Sequence, residues 1–566
     1  MLVDSRDLTE GHIIKTDVCI IGAGPSGITL ARELANTSSH VTLLESGGVS
    51  QDPAIQDLSF GNTIGDDFLP LQITRNRQFG GNSNVWSIKL DRLENRHWQM
   101  GVRYVPLDNI DFQQRDWVPH SGWPIGREDL LPYYEKAQQV AHSGPFAYEP
   151  QAWSDRQVKP IEWAGDNFTS KVYQFGPRQV FYQDYLEELS HSQKVDIYLY
   201  ATAVELELRP NSQVIERVRC TNSTGKTYWI EARLFVIATG GIETAKLMLA
   251  SNQSQSSGIG NENDLVGRFF MDHVLLDIGS LHPASVELFA QSAFYDKRQV
   301  DGYSVMGHLA LKEQTMAQNQ LMNSTIVLFP RPDLRQTRAM AALKDLTEQG
   351  YLKKPLPQYW PLITQKLLQV AGGLDHIATA AYLGKRYDQS LWPGFGRGGW
   401  AEQPHTHGRF KRFEVLLVTE QAPDPANRVL LSRDRDALGI PRAELHWRWG
   451  QLNIDSARSI QDLFSDAVEK TGLGHFAAAR RDGQPYLFGP AGMAHHMGTT
   501  RMGANPQTSV VNSDCRVHSV PNLYIASSSV FPTGGYANPT LTILALSLRL
   551  GDHLKQEMGK TLTLVK

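Results

Sequence analysis

The stretch Asp17-Val-Cys-Ile-Ile-Gly22-Ala-Gly24-Pro-Ser-Gly27 decides the fold. Its apolar run Asp17–Ile21 predicts a buried strand, Ile28–Ala35 a helix and Val41–Leu44 a second strand, together one βαβ unit. Between strand and helix the glycines have separate tasks. Gly22 permits the tight turn, Gly24 lets the backbone approach a pyrophosphate, and Gly27 allows close helix–strand packing. The helix N-terminus offers N–H groups to the anion, and Pro25, before Ser26, stands where a missing N–H costs nothing. Glu45, 23 residues after Gly22 and followed by Ser46, is placed to accept hydrogen bonds from a ribose diol. A carboxylate there repels a 2′-phosphate, which disfavours NADP. NAD and FAD share this turn, so it does not choose between them.

Outward from this unit, residues 196–238 read as a second strand-rich block, ending in Arg233–Gly241 with a helix from Glu243. Residues 101–165, rich in Trp, Pro and Tyr, read as loop with short helices such as Arg127–Val140. The middle changes character: a Pro-, Trp- and Gly-punctuated region at 330–408 precedes alternating strands at Glu414–Val418, Arg428–Leu431 and Ala443–Trp449. Strand-and-helix patterning returns at 521–556. The expected architecture is α/β. A discontinuous, Rossmann-like dinucleotide-binding domain takes residues 1–275 and 490–566, and an α+β domain built on an antiparallel sheet takes 276–489.

Composition narrows the function classes. The 566 residues carry 55 basic and 59 acidic side chains, a formal charge of −4 that gives no basic surface for nucleic acid. Apolar residues make up 41% and mean hydropathy is −0.33, as in an ordinary globular protein. Three cysteines are too few for a disulfide framework. Met1–Asp7 shows no basic-then-apolar leader pattern, and the longest apolar runs fall short of the ~18 residues a membrane span needs. The expectation is a soluble, cytoplasmic protein. No Gly-x-Ser-x-Gly elbow occurs, which removes the usual serine-hydrolase reading.

Three further segments carry chemistry. Arg77-Gln-Phe-Gly80-Gly81-Asn82-Ser83-Asn84-Val85-Trp86 is a glycine turn with polar amides, able to pass close to a planar cofactor. Near the other end stand His495-His496-Met-Gly498-Thr-Thr-Arg-Met-Gly503 and Asn522–Thr542, the latter containing Pro532-Thr-Gly-Gly-Tyr-Ala-Asn538-Pro539-Thr540. Together with Ala238–Glu243 and Val266–Asp272, these resemble the glucose–methanol–choline (GMC) family of FAD-dependent oxidoreductases. The C-terminal phrasing is most similar to its bacterial sugar and polyol dehydrogenase branch. The resemblance covers nearly the whole chain, leaving only about 280–410 without a pattern.

The resemblance implies FAD as cofactor. It gives His495 the role of taking the substrate's hydroxyl proton, with Asn538, 43 residues on, as the second member of the catalytic pair. Val204 and Thr239–Gly240 pass near the adenosine end, the isoalloxazine lies by Gly80–Val85, and Pro539–Thr540 begin a helix aimed at its pyrimidine end. Ser527 stands where the family often has an acidic residue reaching the ribityl chain, which weakens that contact. Asn84 and Val85 occupy positions near which some relatives attach FAD through histidine, so the flavin is expected to be non-covalent. The implied reaction is oxidation of an alcohol of a sugar, glycoside or polyol, with oxygen, a quinone or a protein as electron acceptor. A GMC-fold lyase that keeps FAD structurally is the alternative.

Several residues keep two readings. Asn538 before Pro539 is also what a plain helix cap looks like. His496 either orients the pocket or faces away, and Gln421 is a substrate-contact candidate. His405-Thr-His407 reads as a lid, a surface loop or, with His495 and His496, a metal site, although no carboxylate or cysteine stands at ligand spacing. The aromatic residues Tyr351, Tyr359, Trp360, Trp392 and Trp400 suit sugar stacking or an ordinary core equally.

Overall fold

The computed structural model describes residues 1–90, 99–348, 356–387, 392–401, 409–480, 486–487 and 490–564. His405 and His407 lie outside them, as does Tyr351.

The apolar run Val18–Ile21 is buried along its whole length, as a strand covered on both faces must be. It sits inside a six-stranded parallel sheet in the order Leu2–Asp4, Val195–Leu199, Val41–Leu44, Val18–Ile21, Leu234–Ile237, Leu523–Ile525. Chain from both ends therefore meets in one sheet. The Pro25–Ala35 helix follows the central strand directly, and the C-terminal helix Thr540–Leu564 packs against it. Leu541, Leu544 and Leu548 of that helix are buried.

The second layer is a large antiparallel sheet. Its main path runs Gly474–Ala478, Val274–Pro283, Arg412–Thr419, Ser324–Arg331, Tyr303–Leu311, Phe168–Pro177, Gln99–Tyr104, Ile88–Leu90. Residues 88–104 and 168–177 thus supply three strands, outside the 276–489 stretch from which sequence reading expects this sheet. A smaller sheet pairs Arg428–Arg435 with Pro441–Trp447, and the latter with Gly61–Gly65.

The punctuated region at 330–408 contains three helices, Leu334–Glu348, Leu356–Gly372 and Leu374–Tyr387, the middle one running through Pro361. Trp400 is buried and Trp360 exposed, while Trp392 lies under the Arg331 guanidinium at 4.5 Å. All three cysteines, Cys19, Cys220 and Cys515, are free and buried. No helix among the described residues is long and apolar enough to cross a membrane.

Candidate active site

One elongated cavity of about 530 Å³ joins the parallel sheet to the large antiparallel one. At one end it is lined by Gly22, Gly24, Pro25, Ser26, Glu45 and Ser46, with Val204, Thr239 and Gly240 alongside. Gly81, Asn82 and Val85 continue the wall, and Ser527 joins them. The far end holds His495, Asn538, Pro539 and Thr540, while His496 lines the cavity beside Gly241. Residues as distant in sequence as Gly22 and Asn538 thus face one space.

The turn after the central strand is built as its sequence requires. Gly22 has φ +106°, and a Cβ there would lie 2.7 Å from the Ala238 carbonyl oxygen. Gly24 precedes the helix with no side-chain cap, so the first N–H groups of the helix lack a protein acceptor. Glu45 is buried and accepts from the Ala23 and Gly47 backbone N–H groups at 3.1 and 2.9 Å. Burial raises its pKa, against those hydrogen bonds and the nearby Arg77 charge. Beside the turn Arg75 and Arg77 share Glu243, at 2.9 and 2.5 Å. Burial disfavours the Glu243 carboxylate, but Arg77, Arg75 and Lys246 outweigh it and hold the pKa at about 2.

Four of the expected cofactor residues support the wall rather than form it. Gly27 packs against the Gly22 carbonyl, and Gly80 closes on the Tyr182 side chain. Ser83 Oγ donates to the Gly80 carbonyl at 2.6 Å, and Asn84 Nδ2 donates to Phe79 O at 2.8 Å. Gln421 stands away from the cavity. Its amide oxygen accepts from the Asp272 backbone N–H and the Trp447 indole at 3.1 and 3.0 Å, so it is a structural strut and not a substrate contact.

A chain of three hydrogen bonds organises the far end. His273 Nε2 lies 2.8 Å from the Gly535 carbonyl oxygen, which only accepts; Nε2 therefore carries the hydrogen. The neutral ring then presents a lone pair at Nδ1, 2.8 Å from His495 Nδ1. His495 must donate there, which leaves its Nε2 as an acceptor. Asn538 Nδ2 stands 3.1 Å from that Nε2, its amide turned to the histidine. Gly535 is held at φ +52°, and a Cβ there would strike the Asp111 carboxyl. A backbone carbonyl thus sets two successive imidazole tautomers.

Both rings are neutral near pH 7. Burial lowers the His273 pKa to about 4, and burial, followed by the neighbouring His273 ring and the Arg103 guanidinium, pushes His495 well below the ordinary 6.5. Asp272 fixes the backbone that carries them. Its Oδ1 accepts from His273, His495 and Met493 N–H at 2.7, 3.0 and 3.1 Å. Ala494, between the last two, adopts φ +58°, an uncommon conformation for a side-chain-bearing residue that turns His495 into the cavity. His496 lines the cavity as well, with Nε2 3.9 Å from Asp272 Oδ2 and no hydrogen-bond partner among the described residues.

Asp272 and His273 carry no role in the sequence reading, although Val266–Asp272 belongs to the stretches that support the family resemblance. A buried acid followed by histidine was the available signal. Among the described residues no group of three or more His, Cys, Asp or Glu is arranged to hold a metal ion.

Buried neutral histidines make stability pH-dependent. Burial lowers the pKa of His273, His308, His495 and His496, so below 6.5 the unfolded chain binds protons the folded one does not. Asp272 and Asp111, raised chiefly by burial, act oppositely, as the folded state holds their protons in the same window. With His376 added to the lowered histidines and Glu45 to the raised carboxyls, the histidines still outnumber the acids, which leaves a net loss of stability on acidification. Urea midpoints should fall from pH 7.5 to 5.5; an unchanged midpoint would contradict the burial of these rings.

This geometry joins a glycine turn suited to a dinucleotide with a buried histidine–amide pair, and known proteins resemble the chain as follows. Residues 423–547 match the family model for GMC oxidoreductase. The chain is 25% identical to 2-methyl-1,2-propanediol dehydrogenase of Mycolicibacterium austroafricanum, covering 96% of both chains. It is also 25% identical to the fructose dehydrogenase large subunit of Gluconobacter japonicus, over 97% of this chain and 99% of that one. A fungal aryl-alcohol oxidase shares the fold, with a TM-score of 0.51 at 15% identity over 97% of this chain and 100% of the other. The similarity to GMC oxidoreductases thus lies in residues 423–547, and the chain is an FAD-dependent oxidoreductase acting on CH–OH donors.

The cavity residues fit FAD. The uncapped helix N-terminus and open backbone at Gly24 suit a pyrophosphate, and Arg75 Nη1 has no acceptor among the described residues. Gly22→Val should therefore yield a colourless protein, because its Cβ displaces the Ala238 backbone. The flavin-to-protein absorbance ratio tests this, and full flavin content would contradict it.

Proposed function

We propose that the chain oxidises an alcohol carbon of a sugar, glycoside or polyol to a carbonyl, with His495 as the proton acceptor. The observation that carries this reading is the hydrogen-bond chain Gly535–His273–His495–Asn538, which leaves an unprotonated Nε2 beside an amide donor. Bound FAD, held non-covalently, supplies the hydride acceptor. His495 Nε2 takes the hydroxyl proton while Asn538 donates its amide to the same oxygen as negative charge builds. His273 keeps His495 in the tautomer that can do so. As His495 becomes positive, its Nδ1–H stays on the His273 lone pair. The Thr540–Leu564 helix points its N-terminus into the cavity, a favourable field for negative charge at that end.

In this reading residues 1–275 and 490–566 hold the cofactor, and 276–489, joined by the strands at 88–104 and 168–177, roof the substrate. The names of the two relatives, a diol dehydrogenase and a fructose dehydrogenase, support a polyhydroxylated donor. Turnover of a sugar and polyol panel with carbonyl product identified by mass spectrometry tests the proposal. Oxygen, a quinone and a redox protein offered in turn sort oxidase from dehydrogenase. A flavin-loaded protein that forms no carbonyl from any alcohol, and instead cleaves or adds to a substrate, would favour the lyase reading.

A further inference from the structure

Among the described residues, the Arg and Lys side chains lining the cavity are matched with one exception. Arg75 and Arg77 share Glu243, and Lys246 pairs with Asp436 at 3.0 Å. Arg103, on the Gln99–Tyr104 strand of the large sheet, is only 3% exposed and lines the same cavity. Neither Nε nor Nη1 of its guanidinium has a hydrogen-bond partner among the described residues, and no carboxylate there pairs with it. Its neighbours are ring faces: the guanidinium carbon lies 4.1 Å from the Phe395 ring centre and 4.9 Å from that of Tyr173. Those faces hold it by cation–π attraction and satisfy none of its N–H groups.

A buried, unmatched cation is expensive, so such a group is kept where something else completes it. Tyr173 stacks on His308 at 3.9 Å, and His308 meets the ring of Tyr536, two residues before Asn538, at 5.4 Å, which puts Arg103 at the substrate end of the cavity. A single planar guanidinium with its faces against rings offers its N–H edge, the geometry that meets a planar carboxylate through paired bonds. One positive charge balances one carboxylate, whereas a phosphate monoester would bring about two negative charges.

We propose that Arg103 anchors a carboxylate of the substrate, so that the alcohol oxidised at His495 belongs to a hydroxy carboxylate such as an aldonic or uronic acid. This rests on the alcohol-oxidation reading and narrows its substrate class. The carboxylate takes no part in the redox step. The hydroxyl proton goes to His495 Nε2, the carbon-bound hydrogen leaves as hydride with both electrons to FAD, and C=O replaces C–O.

The test compares matched pairs, glucuronate with glucose and gluconate with sorbitol, on the FAD-loaded wild type and on Arg103→Met and Arg103→Lys. Substrate kinetics are joined by a readout that needs no turnover: the shift of the flavin visible spectrum on titration with cyclohexanecarboxylate or with cyclohexanol. The expected wild-type result is a preference for the acid of each pair, and a carboxylate-induced spectral shift with no counterpart for the alcohol. Arg103→Met should weaken carboxylate binding roughly 10²-fold and collapse the preference towards unity, with Arg103→Lys between. Equal handling of acid and neutral partner by the wild type would overturn the proposal. So would a carboxylate shift unchanged in Arg103→Met, or loss of FAD from both variants, which would put the guanidinium on the cofactor. Carboxylate binding without any alcohol oxidation would instead refute the alcohol-oxidation reading and leave the anchor standing.

Discussion

His495→Ala is expected to retain its FAD and to lose about 10²–10⁴-fold of the rate at which substrate reduces it, the range a positioned general base supplies. The side chain is half-buried, touches Asn538 and His273, and lies outside the phosphate turn, so its truncation leaves the cofactor's main contacts intact. The hydroxyl proton loses its positioned acceptor, because the His273 Nδ1 lone pair lies behind the missing ring. Rapid-reaction absorbance under anaerobic conditions measures this step directly. A rate within about threefold of wild type would remove His495 from the chemistry.

His273→Leu should be nearly as damaging although His273 sits behind the reacting group. Leucine leaves the His495 Nδ1–H without an acceptor in a buried site, which costs about 1–3 kcal/mol and lets the ring adopt the other tautomer or turn. The proton then resides on Nε2 and the base is lost. A fall of roughly 10²-fold in kcat is expected, by analogy of mechanism with catalytic histidines whose orienting acceptor is removed. His273→Gln, which can present an amide oxygen at the same place, should recover part of it. The pH profile discriminates positioning from mere packing. Wild type keeps a neutral His495 below pH 6.5, so its acid limb falls at lower pH than an ordinary imidazole would give. In His273→Leu that limb should move, since both burial and the neighbouring ring contribute to the lowered value.

The difference in how these two histidines can be found in the sequence follows from their place in the chain. The βαβ unit is local: Val18–Ile21, Pro25–Ala35 and Val41–Leu44 form where glycine spacing and apolar runs put them. Arg127–Val140 is likewise the helix its residues predict. His495 and Asn538 were legible only through resemblance, because nothing in a 43-residue separation says that two side chains meet. His273 lies 222 residues from His495, and its function is set by a backbone carbonyl, which no residue identity encodes.

The large sheet was partly hidden for a related reason. Phe168–Pro177 mixes buried Phe168, Val172 and Phe175 with polar Ser170 and Gln174 that are also buried, so alternation marks it poorly. The helices between 334 and 387 were obscured by Pro361 and neighbouring aromatics, which read as loop punctuation. Gln421 stands beside a chemically suggestive turn, yet its amide is consumed by Asp272 and Trp447. Arg103 is the converse case: an unremarkable residue in a strand becomes informative only when its missing partner is visible.

The central claim is that a CH–OH donor passes its proton to His495 and its hydride to the bound flavin. The most direct measurement is anaerobic stopped-flow reduction of the FAD-loaded protein by a reactive alcohol and by the same alcohol deuterated at the oxidised carbon. The account requires loss of the oxidised flavin absorbance in one turnover, several-fold slower with deuterium, and lost on replacing His495. A flavin that stays oxidised under saturating alcohol, while the protein still transforms that alcohol, would contradict it.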